Sequence, residues 1–202
     1  MSRHDHAIGL RRTIVLIALV NFGYFFIESS VAFRQGSVSL FADSVDFLED
    51  TAINCLILLG LTWSVRARAR LGMALAGILL VPGAMTLWTA IRKFYHPTVP
   101  AAASLGAVGL GALLVNLFCA LQLAKIRHHS GSLTRAAFLS ARNDVMANLA
   151  IICAGLVTLA FSSPWPDFVV GIGIMALNAD SAVKVFRVAK AEHLSTFDAP
   201  EA

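Results

Sequence analysis

The feature that most constrains this chain is a series of six apolar segments, each long enough to cross a bilayer as a helix. A transmembrane helix takes about 20 residues, so six helices would leave only short loops and tails in a chain of 202 residues. Only 14% of the residues are charged, whereas soluble domains carry roughly 25%. The predicted spans are residues 13–33, 38–61, 71–91, 104–124, 136–161 and 168–183.

The distribution of basic residues predicts the orientation of these helices. Twelve Lys and Arg fall on the side of the two termini, and three fall on the other side. Because basic residues favour the cytoplasmic side, both termini are predicted to be cytoplasmic. The prediction is an all-α integral membrane bundle of six transmembrane helices (12–190), between a cytoplasmic amino-terminal tail (1–11) and a short cytoplasmic tail without fixed structure (191–202).

Several other classes of protein do not fit the composition. The net charge of +4 is not accompanied by interleaved basic and aromatic residues on a polar surface, so we expect no nucleic-acid partner. Cys55, Cys119 and Cys153 lie singly in apolar stretches, which predicts no zinc-finger or redox role. The first apolar run is longer than the core of a signal peptide and is expected to be retained as a helix. We expect neither enzymatic activity nor a bound cofactor.

Acidic residues inside the second span are the most informative feature. Asp46 and Asp50 are four residues apart, so their carboxylates project from one face of a helix, and Asp43 joins the same stripe. Like charges on one face repel each other unless a cation binds or a proton is taken up. Charged residues are costly inside a membrane and usually mark a functional site. The spacing therefore predicts a cation or proton site.

The fifth span offers a matching set of oxygen ligands. Ser140, Asp144 and Asn148 follow each other at four-residue spacing and share one helix face. If this face meets the second span, three carboxylates and several hydroxyl or amide oxygens would surround one divalent ion. Arg142 also lies inside this span, and we expect it to form a structural ion pair with one of the acids.

Residues 36–50, with the sequence GSVSLFADSVDFLED, resemble the start of the second transmembrane helix of the cation diffusion facilitator family. Asp46 and Asp50 occupy the two ligand positions of that family's (H/D)xxxD motif. The resemblance covers roughly residues 12–190, and further positions that are similar to the family pattern are Asn21, Glu28, Asp144 and Pro166-Asp167.

The resemblance implies a transporter that exports zinc, manganese, cobalt, iron or cadmium from the cytoplasm in exchange for protons. Its partners would be the divalent ion, protons and the lipid membrane, with a homodimer through the transmembrane helices as a further expectation. The fifth-helix motif departs from the family pattern, because Ser140 stands where His or Asp is usual. Ser140, Asn143, Asn148 or water would then complete the site. The family's carboxy-terminal cytoplasmic domain is not expected in this chain.

The choice of metal and the function itself have alternatives. A shell of carboxylate, hydroxyl and amide oxygens favours manganese, iron or cobalt, but zinc also binds carboxylates and keeps equal weight. The alternative function is a scaffold or regulatory subunit with a degenerate metal site that does not transport. A proton-coupled carrier of a small organic solute is disfavoured because Arg142 is the only cation inside a predicted span. The short loops favour a bacterial inner membrane.

Overall fold

A computed structural model describes residues 3–60, 65–126 and 131–179. These residues form six helices and no strand, which confirms the predicted all-α membrane bundle. Residues 3–11 of the predicted tail continue the first helix without a break, and the tail at 191–202 lies outside the described residues. The helices are α1 (Arg3–Gln35), α2 (Val38–Gly60), α3 (Val65–Tyr95), α4 (Ala102–Ile126), α5 (Gly131–Phe161) and α6 (Trp165–Ala179).

The surface of the bundle is apolar and much of its interior is polar, as expected for a protein surrounded by lipid. Leu19, Leu114 and Leu159 are exposed, whereas four acidic residues of α2 are buried. Within the described residues, length and apolarity alone qualify three stretches as membrane spans, in α1, α4 and α5. The helix α2 is long enough, but Asp43, Asp46, Glu49 and Asp50 make it more highly charged than an ordinary span.

The helix α2 is central, because it packs against α1, α3 and α5 and also touches α4. The close pairing of α4 with α5 depends on two glycines that leave room for the neighbouring helix. A methyl group at Gly109 would lie 3.2 Å from Ile151 and Ile152, and one at Gly155 would lie 3.2 Å from Leu105. Small residues allow this close approach of helices in membranes.

A tight turn reverses the chain between α1 and α2. Gly36 has a φ of 60°, a left-handed conformation that glycine adopts without steric cost. The amide of Ser37 then donates a 3.1 Å hydrogen bond to the carbonyl of Ala32, which closes the end of α1 as a Schellman motif. The turn lies at the end of the bundle that also carries the α3–α4 and α5–α6 connections. This end is called the outer end below, because the predicted orientation places it away from the cytoplasm.

Asp167, near the start of α6, holds the outer end together. Its buried carboxylate accepts hydrogen bonds from the backbone amides of Val38 (3.0 Å) and Ser39 (3.2 Å) and from the Ser37 hydroxyl (2.6 Å). It thereby satisfies free amides at the first turn of α2. It also forms a buried ion pair with Lys93 of α3. One carboxylate therefore connects the α1–α2 turn, α3 and α6.

Candidate metal site

The acidic face of α2 points into the bundle. Asp46 is 9% exposed, Asp50 is 3% exposed and Asp43 is completely buried. All three lie on one side of the helix because their spacings of three and four residues each correspond to about one turn. The acidic stripe is thus enclosed by the protein. Glu49 is also buried, but it lines a separate cavity of about 510 Å³ between α2, α3 and α6.

The helix α5 brings its polar face against the acidic face of α2. The Ser140 hydroxyl lies beside the Asp50 carboxylate, and Asp144 lies close enough to Asp46 and Asp50 for direct electrostatic interaction. Asp144 is 8% exposed and Asn148 is fully buried. Ser140 lies one turn before Asp144 on α5 and Asn148 lies one turn after it, so the two residues flank Asp144 along the bundle axis. The two faces therefore meet at Asp50, Ser140 and Asp144.

Asn54 and Asn148 have the same arrangement on the two helices. The side-chain amide of Asn54 donates a 2.7 Å hydrogen bond to the backbone carbonyl of Asp50, and that of Asn148 donates one of 2.7 Å to the carbonyl of Asp144. A carbonyl can only accept, so the amide nitrogen must face it and the side-chain oxygen must point away. Both oxygens are buried without a hydrogen-bond partner. Each is a free oxygen ligand one turn from an aspartate.

Asn54 was not selected by the sequence reasoning, although a signal for it exists. The spacing Asp-x-x-x-Asn occurs at 50–54 and again at 144–148. Asn143, by contrast, was considered as a ligand, but its side chain is exposed. Of the protein groups considered for completing the shell, Ser140 lies beside Asp50, and Asn148 is buried one turn after Asp144 on the same helix face.

The carboxylates are neighbours but do not converge on a single point. Among the described residues, no group of three or more His, Cys, Asp or Glu side chains is arranged so that it already encloses a metal ion. Mutual repulsion keeps carboxylates apart when no cation lies between them. One oxygen of Asp144 is buried without a hydrogen-bond partner. A change of side-chain rotamers would be needed to close the shell around an ion.

The predicted ion pair of Arg142 is wrong. Its side chain is exposed, and the ion pair within the described part of the chain is formed instead by Lys93 and Asp167 at the outer end. Sequence spacing placed Arg142 next to Asp144, but residues two apart on a helix point in different directions. The described residues thus place no basic partner in an ion pair with the acids of α2 and α5.

Comparison with known proteins identifies the family of this arrangement. Residues 14–192 match the cation efflux transmembrane domain. The chain therefore belongs to the cation efflux family.

The chain is also similar to a bacterial protein named as an antiporter. Over 178 residues it is 23% identical to the cadmium, cobalt and zinc/H(+)-K(+) antiporter of Bacillus velezensis strain FZB42, and the match covers 81% of this chain. The chain spans 57% of the length of that relative.

Proposed function

We propose that this chain exports divalent metal cations from the cytoplasm in exchange for protons, and that the ion binds between α2 and α5. Asp46, Asp50 and Asp144 are the proposed charged ligands. The observation that carries the proposal is that α2 and α5 bring buried carboxylates together, while no described basic residue forms an ion pair with them. Oxygens of Ser140 and Asn148 complete the proposed shell, with Asp43 at its outer edge.

The same carboxylates account for exchange with protons. Several negative charges in a water-poor interior repel one another, and either a divalent ion or bound protons relieve this repulsion. Metal and protons therefore compete for the same oxygens. If the site opens alternately to the two sides of the membrane, metal leaves where protons enter. No separate histidine is needed for the coupling.

The proposed range of metals is zinc, manganese, cobalt, iron and cadmium. The name of the Bacillus velezensis relative supports cadmium, cobalt and zinc as cargo and protons as the exchanged ion. The shell in this chain consists of oxygens, which suit manganese, and iron or cobalt as intermediate cases. Zinc also binds carboxylate oxygens, so it remains among the proposed ions.

The proposed setting is a bacterial inner membrane with both termini in the cytoplasm. The excess of basic residues on the side of the termini supports the orientation, and the bacterial relative supports the type of membrane. We also propose a homodimer through the transmembrane helices, since exposed apolar side chains on the bundle provide contact surface in lipid.

Calorimetric titration of the purified protein with zinc, manganese and cobalt tests the proposed site. We expect saturable binding that weakens as the pH is lowered, because protons compete for the carboxylates. Asp46→Asn should lower the affinity at least about 10-fold, since a lost outer-shell group alone costs about 10- to 100-fold. Glu49→Gln is the matched control: this buried acid of the same helix lines a different cavity, although it lies within electrostatic range of the proposed ligands. We expect it to lower the affinity much less than Asp46→Asn does.

The same titration distinguishes the alternative of a scaffold that does not transport. That alternative is motivated by Ser140 at a family ligand position and by the open arrangement of the carboxylates. It predicts no binding that depends on Asp46. Such a result for all three metals would contradict the proposed site.

A further inference from the structure

A second pair of carboxylates faces each other between α1 and α2. Glu28 of α1 and Asp43 of α2 are both completely buried, and their side chains are direct neighbours. In α2, Asp43 lies five residues after the start at Val38, which is about 7.5 Å along the helix. The pair is therefore enclosed in the outer half of the bundle.

Apart from each other, the two carboxyl groups have no partner that explains their burial. None of the four oxygens accepts a hydrogen bond from another described group. The nearby hydroxyl of Tyr24 donates its proton to the carbonyl of Val108 at 2.7 Å and does not serve them. Lys93, the buried cation of the outer end, is paired with Asp167. Two carboxylates buried side by side are strongly unfavourable unless a cation lies with them or they share a proton.

The pair is distinct from the site between α2 and α5 but continuous with it. Asp43 precedes Asp46 by three residues, so the two carboxylates are about one turn, roughly 5–6 Å, apart on the same face. Glu28 is contributed by α1, which supplies none of the proposed ligands of the first site. It lies within electrostatic range of Asp46. An ion that leaves Asp46 toward the outer end would meet Glu28 and Asp43 next.

We propose that Glu28 and Asp43 form a second site for a divalent cation, which holds the exported ion on its way to the outer face. Two carboxylates supply up to four hard oxygen ligands, a set suited to ions such as Mn²⁺, with water completing the shell. This inference rests on the proposed transport function. It reassigns Asp43 from the edge of the first site to the centre of the second.

Binding of Mn²⁺ to the full chain in detergent, followed by the electron paramagnetic resonance signal of free Mn²⁺, tests the second site. The triple variant Asp46→Asn/Asp50→Asn/Asp144→Asn removes the charged ligands of the first site. We expect it to retain one bound Mn²⁺, and we expect the further substitution Glu28→Gln to abolish this binding. Adding Glu49→Gln to the triple variant instead should leave the retained ion in place.

The outcomes separate this inference from the proposed function. If the wild type binds Mn²⁺ but the monodisperse triple variant binds none, the second site is overturned and the first one stands. If the wild type itself binds no divalent ion, the proposed function fails. Should the triple variant not remain monodisperse, the single variant Glu28→Gln decides: it is expected to lose one bound ion relative to the wild type, and an unchanged number of ions overturns the second site.

Discussion

Asp50→Asn is expected to reduce metal transport into proteoliposomes by at least about 100-fold, since loss of a group outside the ligand shell alone costs about 10- to 100-fold. Asp50 is almost fully buried and lies beside both Ser140 and Asp144. The substitution keeps the size of the side chain but removes a negative charge and can direct an amide donor at the ion. Accumulation of a zinc- or manganese-sensitive dye inside the vesicles measures the effect.

Two further variants make this result specific. Asp144→Asn removes the carboxylate that α5 contributes, and we expect a loss of similar size. Glu49→Gln removes a buried charge from the same helix but from another cavity, within electrostatic range of the proposed ligands. We expect it to reduce transport much less than Asp50→Asn does. Wild-type transport by both Asp50→Asn and Asp144→Asn would contradict the assignment of the ion to the space between α2 and α5.

Asp167→Asn is expected to lower the free energy of unfolding by about 3–5 kcal/mol, the range observed when one partner of a buried ion pair is removed. The substitution leaves Lys93 buried without its counter-charge and weakens the bonds to the start of α2. Lys93→Met leaves Asp167 with its hydrogen-bond donors, so we expect a smaller loss. Unfolding in mixed micelles of increasing denaturing detergent measures both.

The double variant Lys93→Met/Asp167→Asn separates the ion pair from other effects. We expect it to lose less stability than the sum of the two single variants, because the second substitution removes a charge that the first had left unpaired. Lys125→Met is the control: this exposed lysine donates a hydrogen bond to Gln122 on the surface, and its loss should change stability by less than about 0.5 kcal/mol. Strictly additive single effects would show that Lys93 and Asp167 do not act together.

Local spacing was sufficient to predict much of the candidate site. Asp46 and Asp50 share a face because four residues make about one helical turn, and the structure places both in the interior. The same rule applied to Asp50 and Asn54 would also have indicated Asn54. What spacing within one helix could not provide is the contact of Asp50 with Ser140, which depends on how two distant helices pack.

The outer end shows more clearly where sequence reasoning stops. Lys93 follows the predicted third span, residues 71–91, but in the structure it belongs to the last turn of α3 and is buried against Asp167. Nothing in the spacing of these residues predicts their contact, because α3 and α6 are far apart in sequence. Similarly, Arg142 is the basic residue next to the acids in sequence, yet its side chain is exposed. Tertiary packing decides which charges meet.

The most direct test of the proposed transport is a simultaneous record of zinc entry and internal pH in proteoliposomes that contain the wild-type protein. We expect that an acidic vesicle interior drives zinc inward while protons leave, since metal and protons compete for the same carboxylates. We also expect that collapse of the proton gradient with nigericin stops the net zinc movement before accumulation is complete. Zinc accumulation that proceeds unchanged without a proton gradient, or no zinc entry at all, would contradict the exchange of metal for protons.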